Sequence, residues 1–279
     1  MKRRLVSLVL VPFACWMVTP VDAQQPAPYR ILVTNDDGVR APGLAAMADA
    51  LRTLGEVIVV APSEVQSGAS HGVVTIDPVF REDIVLPGGL RAVGLRTTPA
   101  TTMFIALRNI VTPRPDLVVS GINNGYNLGY SVYRSGTVAG AREGAMFGVP
   151  AIAASMAAGT AAEGFAGAAA QVAAIARRLK DAPLGANTFL NVNVPAVPAG
   201  GYQGTQVTSQ AMMLGGTETF VEMRHPSGRP VYWSVYREGA TAPQGTDIWA
   251  VENGYVSVTP MHVGEYDPAL ADRTRAMLK

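Results

Sequence analysis

The chain has 279 residues and 29.2 kDa, with 22 Lys and Arg against 21 Asp and Glu, 48% hydrophobic residues and a single cysteine. A net charge of +1 and a charged fraction of 15% leave no excess with which to hold a nucleic-acid backbone by counterion release, which argues against a dedicated DNA or RNA binder. The apolar content is too high for a disordered chain, and no internal stretch reaches the roughly 18 apolar residues of a membrane span.

In chain order, Lys2-Arg3-Arg4 makes a positive start, Leu5 to Val18 is an apolar run too short to span, and Val21-Asp22-Ala23 ends in a small residue. Residues 1–23 therefore read as a signal peptide cleaved near Ala23, and the product is expected to be exported, periplasmic or secreted. Cleavage removes three basic residues and one acidic one, so the mature chain stays close to neutral. Cys15 lies inside the leader; Pro12-Phe13-Ala14 before it makes a poor lipobox, and the mature chain has neither disulfides nor thiol chemistry.

From Tyr29 onward short apolar runs alternate with helical periodicity, which is the pattern of an α/β fold. Ile31 to Thr34 reads as a buried strand, Gly43 to Leu54 as a helix and Val57 to Ala61 as the next parallel strand, one βαβ unit. An apolar segment near Leu90 to Val93, a helix from about Pro99 to Ile110 and the strand Leu117 to Ser120 continue the rhythm. A helix near Val138 to Phe147, the strand Ala151 to Ser155, an Ala-rich helix from about Ala161 to Leu179 and the strand Phe189 to Val194 complete a Rossmann-like core, residues 24–195, with helices on both faces of a mostly parallel sheet. Residues 196–279 read as a C-terminal β-hairpin extension. Tyr202 to Thr208, Thr217 to Met223 and Val231 to Tyr236 look like antiparallel hairpin strands, followed by a final strand Gly254 to Pro260 and a closing helix Asp267 to Leu278. Hairpins that cannot bury both faces alone are expected to pack on a second subunit.

The chemistry is expected at the carboxyl ends of the strands, where an open α/β sheet leaves a crevice. Thr34-Asn35-Asp36-Asp37-Gly38 puts two adjacent carboxylates on a tight turn. A hard divalent cation between them would relieve their repulsion, and the competing reading makes them turn formers, one of them a helix cap. Gln66-Ser67-Gly68-Ala69-Ser70-His71-Gly72 brings hydroxyls and an imidazole to the same edge. It also matches the G-x-S-x-G elbow of α/β-hydrolases, but polar residues precede it and the strand-like Val73 to Ile76 follows it, where the elbow needs a strand before and a helix after. Ser120-Gly121-Ile122-Asn123-Asn124-Gly125-Tyr126-Asn127-Leu128-Gly129 leads through Arg134 to Ser135-Gly136-Thr137 at a helix start. Amides, glycines and hydroxyls there suit a phosphate, and a Gly/Asn-rich turn is the plainer alternative.

Together these blocks resemble the SurE survival-protein family of 5′/3′-nucleotidases. The resemblance covers nearly the whole mature chain, from Ile31-Leu32-Val33-Thr34-Asn35-Asp36-Asp37-Gly38, through Val60-Ala61-Pro62 with Ser67 and His71, Ser120-Gly121-Ile122-Asn123 and Ser135 to Ala145, to Gly254-Tyr255-Val256-Ser257-Val258-Thr259-Pro260. It implies a Rossmann-like domain whose C-terminal extension is exchanged in a homodimer or tetramer. It also implies one divalent metal ion per subunit, Mg or Mn, on Asp36, Asp37, Ser67 and Asn123, with Asn127 and Ser135-Gly136-Thr137 holding the phosphate. The activity implied is metal-dependent hydrolysis of nucleoside monophosphates, and in some members release of phosphate from polyphosphate ends.

In such a site the cation polarises a phosphoryl oxygen and lowers the pKa of a bound water, Asp36 orients or deprotonates that water, and Thr137 with nearby N–H groups stabilises the transferring group. His71 is a candidate to contact substrate or protonate the leaving alkoxide, and the alternative is a hydrogen-bonded loop histidine. Departures from the family pattern are Tyr126, Thr101, Ser131 and Arg134, and Arg134 adds a positive charge that would favour more highly charged phosphates. Two rival readings are a non-catalytic nucleotide- or phosphate-binding protein and a serine hydrolase using Ser70.

Overall fold

In a computed structural model, which describes residues 27–159, 162–197, 201–214 and 216–278, the alternation of apolar residues sorts the chain into two cores. The expected signal peptide and Cys15 lie outside the described residues. β1 (Arg30–Thr34) is the clearest case: Ile31 and Val33 point into one apolar cluster and Leu32 into the other, all fully buried. The two-residue period of a strand makes this division, so a sheet covered on both faces needs apolar residues at every position. Each such side chain contributes about 1.5–3 kcal/mol of burial.

α1 (Pro42–Leu51) follows, with Pro42 in its first turn, and buries Leu44, Met47, Ala48 and Leu51 on the Ile31/Val33 face. β2 (Glu56–Pro62) pairs parallel with β1. β3 (Arg81–Val85) is an antiparallel edge strand on β4 (Arg91–Leu95), which pairs parallel with β2. α2 (Pro99–Ile105) is capped by Thr98 and continued by a π-helical turn over Ala106–Ile110, so the single expected helix has two geometries. β5 (Leu117–Asn124), α3 (Gly136–Met146), β6 (Ala151–Met156), α4 (Ala162–Asp181) and β7 (Thr188–Val194) complete the parallel run. α1 and α4 cover one face, α2 and α3 the other.

The C-terminal part departs from a simple hairpin arm. β8 (Thr205–Val207) was expected to belong to a hairpin; it pairs parallel with β11 (Val256–His262), and β11 runs antiparallel to β7. Only β9 (Gly216–Arg224) and β10 (Pro230–Glu238) form the expected antiparallel hairpin, as a separate two-stranded sheet. α5 (Asp247–Glu252) returns the chain to β11, and α6 (Pro268–Met277), capped by Asp267, follows. The main sheet has the order β3-β4-β2-β1-β5-β6-β7-β11-β8, an α/β architecture with helices on both faces plus the β9–β10 hairpin. Strand order reverses between β1 and β5. That topological switch point opens the crevice in which ligands of such sheets bind.

Candidate active site

β1 ends at Thr34 and delivers Asp36 and Asp37 to the switch point. Asp36 is 3% exposed, with Asp37 next to it and no salt bridge to either carboxylate among the described residues. Its Oδ1 accepts a hydrogen bond from the Thr137 hydroxyl, and the Thr137 backbone N–H adds a second favourable contact. Burial nevertheless pushes the Asp36 carboxyl up to about 6; Thr137 opposes the rise and the Asp37 charge adds to it. Asp37 is also raised by burial, against a hydrogen bond from the Asn124 backbone N–H to its Oδ2 at 3.1 Å.

The remaining loops are tied to this pair by backbone contacts. Gln66 N–H donates to the Asp36 carbonyl at 2.7 Å, which holds the β2 loop and its exposed Ser67 beside the β1 loop. In β5, a register shift between Ser120 and Asn123 turns the end of the strand toward Asp37. The Asn123 Nδ2 donates to the Gly125 carbonyl at 2.7 Å, leaving its Oδ1 as the side chain's acceptor. Gly136 opens α3 directly against Asp36, where a Cβ would lie 2.9 Å from the Asp36 Cβ and 3.1 Å from its Oδ2, so only glycine allows this approach. Ser135 caps α3 by accepting from Val138 N–H at 3.0 Å, and Thr137 is fully buried on Asp36. The Thr137 hydroxyl, expected to donate to phosphate, is therefore engaged by Asp36, and with the Thr137 N–H on Asp36 and the Val138 N–H on Ser135, the helix-start donors left without a partner among the described residues are the N–H groups of Ser135 and Gly136.

Asn127 is buried in an amide network. Its N–H donates to Asn193 Oδ1 at 2.9 Å, its Nδ2 to Ser155 Oγ at 2.7 Å, and its carbonyl accepts from Asn191 and Asn193. Asp247 of α5 fastens the same loop from outside, accepting from the N–H groups of Gly129, Ala211 and Ile248, each at 2.9 Å. Sequence reasoning missed Ser155, Asn191, Asn193 and Asp247. The signal available was the alternation Asn191-Val192-Asn193 inside an otherwise apolar buried strand.

His71 and Ser70 are placed away from nucleophilic work. His71 Nε2 lies 2.7 Å from Oε1 of the buried Glu143, and its Nδ1 is shielded from solvent with no partner among the described residues. The imidazole thus pins the β2 loop to α3, and neither nitrogen is open to a leaving group. Ser70 donates its hydroxyl to the Tyr133 carbonyl at 2.5 Å and has no imidazole on it, so it lacks the base a serine nucleophile needs. Val73 to Ile76, expected to be strand-like, is irregular and held by Val74 N–H on Thr101 Oγ at 2.8 Å. Arg134 is exposed beside the α3 start, with no side-chain partner among the described residues.

Two adjacent carboxylates without a cationic neighbour, together with neutral oxygens from Asn123 and Ser67, form a donor set that fits a hard, oxygen-preferring divalent cation. Among the described residues there is no cluster of three or more His, Cys, Asp or Glu, so the neutral ligands would be essential.

Residues 31–215 match the family described as Survival protein SurE. The chain is 41% identical over 234 residues to the 5′-nucleotidase SurE of Geobacter sulfurreducens, covering 84% of this chain and 87% of that one. The crystal structure of the SurE protein from Aquifex aeolicus superposes with a TM-score of 0.78 at 36% identity, over 90% of this chain and all of that one.

Proposed function

The chain belongs to the SurE survival-protein family, and from that premise we propose that it hydrolyses phosphomonoesters, most readily nucleoside 5′- or 3′-monophosphates, to nucleoside and phosphate. The observation that carries this reading is the buried Asp36, with the half-buried Asp37 beside it, packed against the N-terminus of α3 at Gly136. A divalent cation, Mg or Mn, held by Asp36, Asp37, Ser67 and Asn123 would supply Lewis-acid polarisation of the phosphoryl group and an activated water.

The chain's own residues supply the rest. Asp36, besides holding the cation, is the group placed to orient the attacking water, and Thr137 fixes its carboxylate in one orientation. The N–H groups of Ser135 and Gly136 at the α3 start receive the phosphoryl oxygens, with the Ser135 hydroxyl holding the turn and Asn127, its side-chain amide on Ser155, fixing the loop that follows β5. Arg134 stands at the rim, where its charge favours a substrate with a second anionic group. Export of the mature chain would direct the activity to nucleotides outside the cytoplasm.

The test is phosphate release from nucleoside monophosphates and a short polyphosphate by residues 24–279, with and without chelator. Release is expected to stop with chelator, to return with Mg or Mn, and to fall at least a hundredfold in Asp36→Asn. Chelator-insensitive release, or none from folded protein with any metal, would leave a binding protein as the better account. In the same panel Arg134→Tyr is expected to lower the rate on polyphosphate relative to the monophosphates, and an unchanged ratio would remove Arg134 from substrate selection.

A further inference from the structure

The loop after β2 carries Ser67, one of the residues proposed to hold the cation, yet residues 63–74 form neither helix nor strand. None of them is buried within the chain, so apolar packing does not fix where the Ser67 hydroxyl stands. A metal ligand has to be held to a fraction of an ångström, and in such a loop only polar ties can do so.

The ties fall on the residues just after Ser67. On either side the loop is anchored away from α3, by Gln66 N–H on the Asp36 carbonyl and by Val74 N–H on Thr101 Oγ1. Between these anchors Ser70 stands at φ 55°, in the left-handed region that few non-glycine residues adopt. Its N–H donates to the Arg134 carbonyl at 3.2 Å and its hydroxyl to the Tyr133 carbonyl, on the turn that leads into Ser135 and Gly136. A backbone of this kind persists where its surroundings over-determine it, and such places cluster at functional sites.

His71 ties the loop to α3 itself. Glu143 is 4% exposed, its Oε1 lies 2.7 Å from His71 Nε2, and no Lys or Arg forms an ion pair with it among the described residues. A carboxyl so deep requires a hydrogen-bond partner, and the rigid imidazole that meets it belongs to the loop. α3 therefore reaches both sides of the cation site: through Thr137 it orients Asp36, and through Glu143 it holds the segment that carries Ser67.

We propose that Glu143 and His71 are positioning residues for the cation: Glu143 holds His71, and His71 holds the loop so that Ser67 meets the same ion as Asp36. Neither is itself a ligand in that set. The inference rests on the hydrolytic reading, in which Ser67 binds the metal.

The experiment measures Mn binding to the mature protein by electron paramagnetic resonance, beside thermal unfolding in chelator. His71→Phe keeps a ring without Nε2, and Glu143→Met fills the space without the carboxyl. Each is expected to weaken Mn binding about tenfold to a hundredfold, and the double variant no more than either alone. Glu143→Gln, which keeps an acceptor for Nε2–H, is expected to bind Mn close to the parent. In a Ser67→Ala background, His71→Phe is expected to cost no further affinity, because its effect runs through Ser67. His71→Phe, a change confined to the loop, decides the matter if Glu143→Met does not fold. A merely structural role would lower the melting temperature and leave the Mn affinity of folded His71→Phe at the parent's value. That result, or a full further loss in the Ser67→Ala background, would overturn the inference and leave the hydrolytic reading standing. A parent that binds no Mn and releases no phosphate would overturn both.

Discussion

Asp36 is a residue whose local chemistry works against the fold in which it sits. Its folded carboxyl titrates at about 6 against an ordinary 3.8, so the folded protein binds a proton more tightly than the unfolded chain does. Stability linked to this group is therefore largest below about pH 4, declines as pH rises toward 6, and stays lost above it. The two-unit displacement corresponds to about 3 kcal/mol. Without metal at pH 7.5, Asp36→Asn should consequently raise the melting temperature, since the amide keeps an acceptor for Thr137 without the buried charge, and the gain should vanish near pH 4. Adding Mg or Mn should stabilise the parent and leave the variant unmoved. Thermal denaturation in chelator and in metal measures both, and a variant less stable than the parent at pH 7.5 in chelator would refute this account of the site.

At the level of elements, α3 decides the geometry. Gly136 lets its first turn abut Asp36, with Pro99 of α2 equally close at 2.9 Å from a would-be Cβ. Gly136→Ala should therefore cost about 1–3 kcal/mol through overpacking and lower activity more than tenfold. Gly167→Ala, on an open face of α4, should be neutral or stabilising by about 0.5–1 kcal/mol. Denaturant unfolding of both variants distinguishes packing from mere helix propensity. The elements were legible where periodicity is strong: the all-buried strands Ile31 to Thr34 and Ala151 to Ser155 declare a sheet covered on both faces. β3 was not, because Arg81-Glu82-Asp83 on an edge strand reads as a charged loop, and neither was the six-residue α5. The parallel pairing of β8 with β11 depends on a partner some fifty residues later, which no local pattern reveals. For the site, the Asp-Asp turn and the Gly/Asn loop stand out in the sequence. The His71–Glu143 contact does not, since Glu143 sits among small helix residues and only the fold brings it to the β2 loop.

For the molecule as a whole, the β9–β10 hairpin is its least self-sufficient part. Phe220, Met223, Tyr232 and Trp233 are more than half exposed on it, and α6 has no buried residue. A two-stranded ribbon with that much apolar surface is marginal alone, and we propose a second copy of the chain as its cover. The protein is expected to sediment as a dimer or tetramer. Phe220→Ser with Trp233→Ser should weaken that association at least tenfold, and a parent that sediments as a monomer at micromolar concentration would exclude it. β11 carries a different consequence. Among the described residues the strand that comes last in the chain occupies an interior place, between β7 and the short β8, which has no other neighbour there. While the chain is being synthesised, β7 must therefore wait with one edge bare until residues 256–262 arrive. A product cut short before Val256 would not be a smaller enzyme; it would be a sheet with an open template for intermolecular pairing.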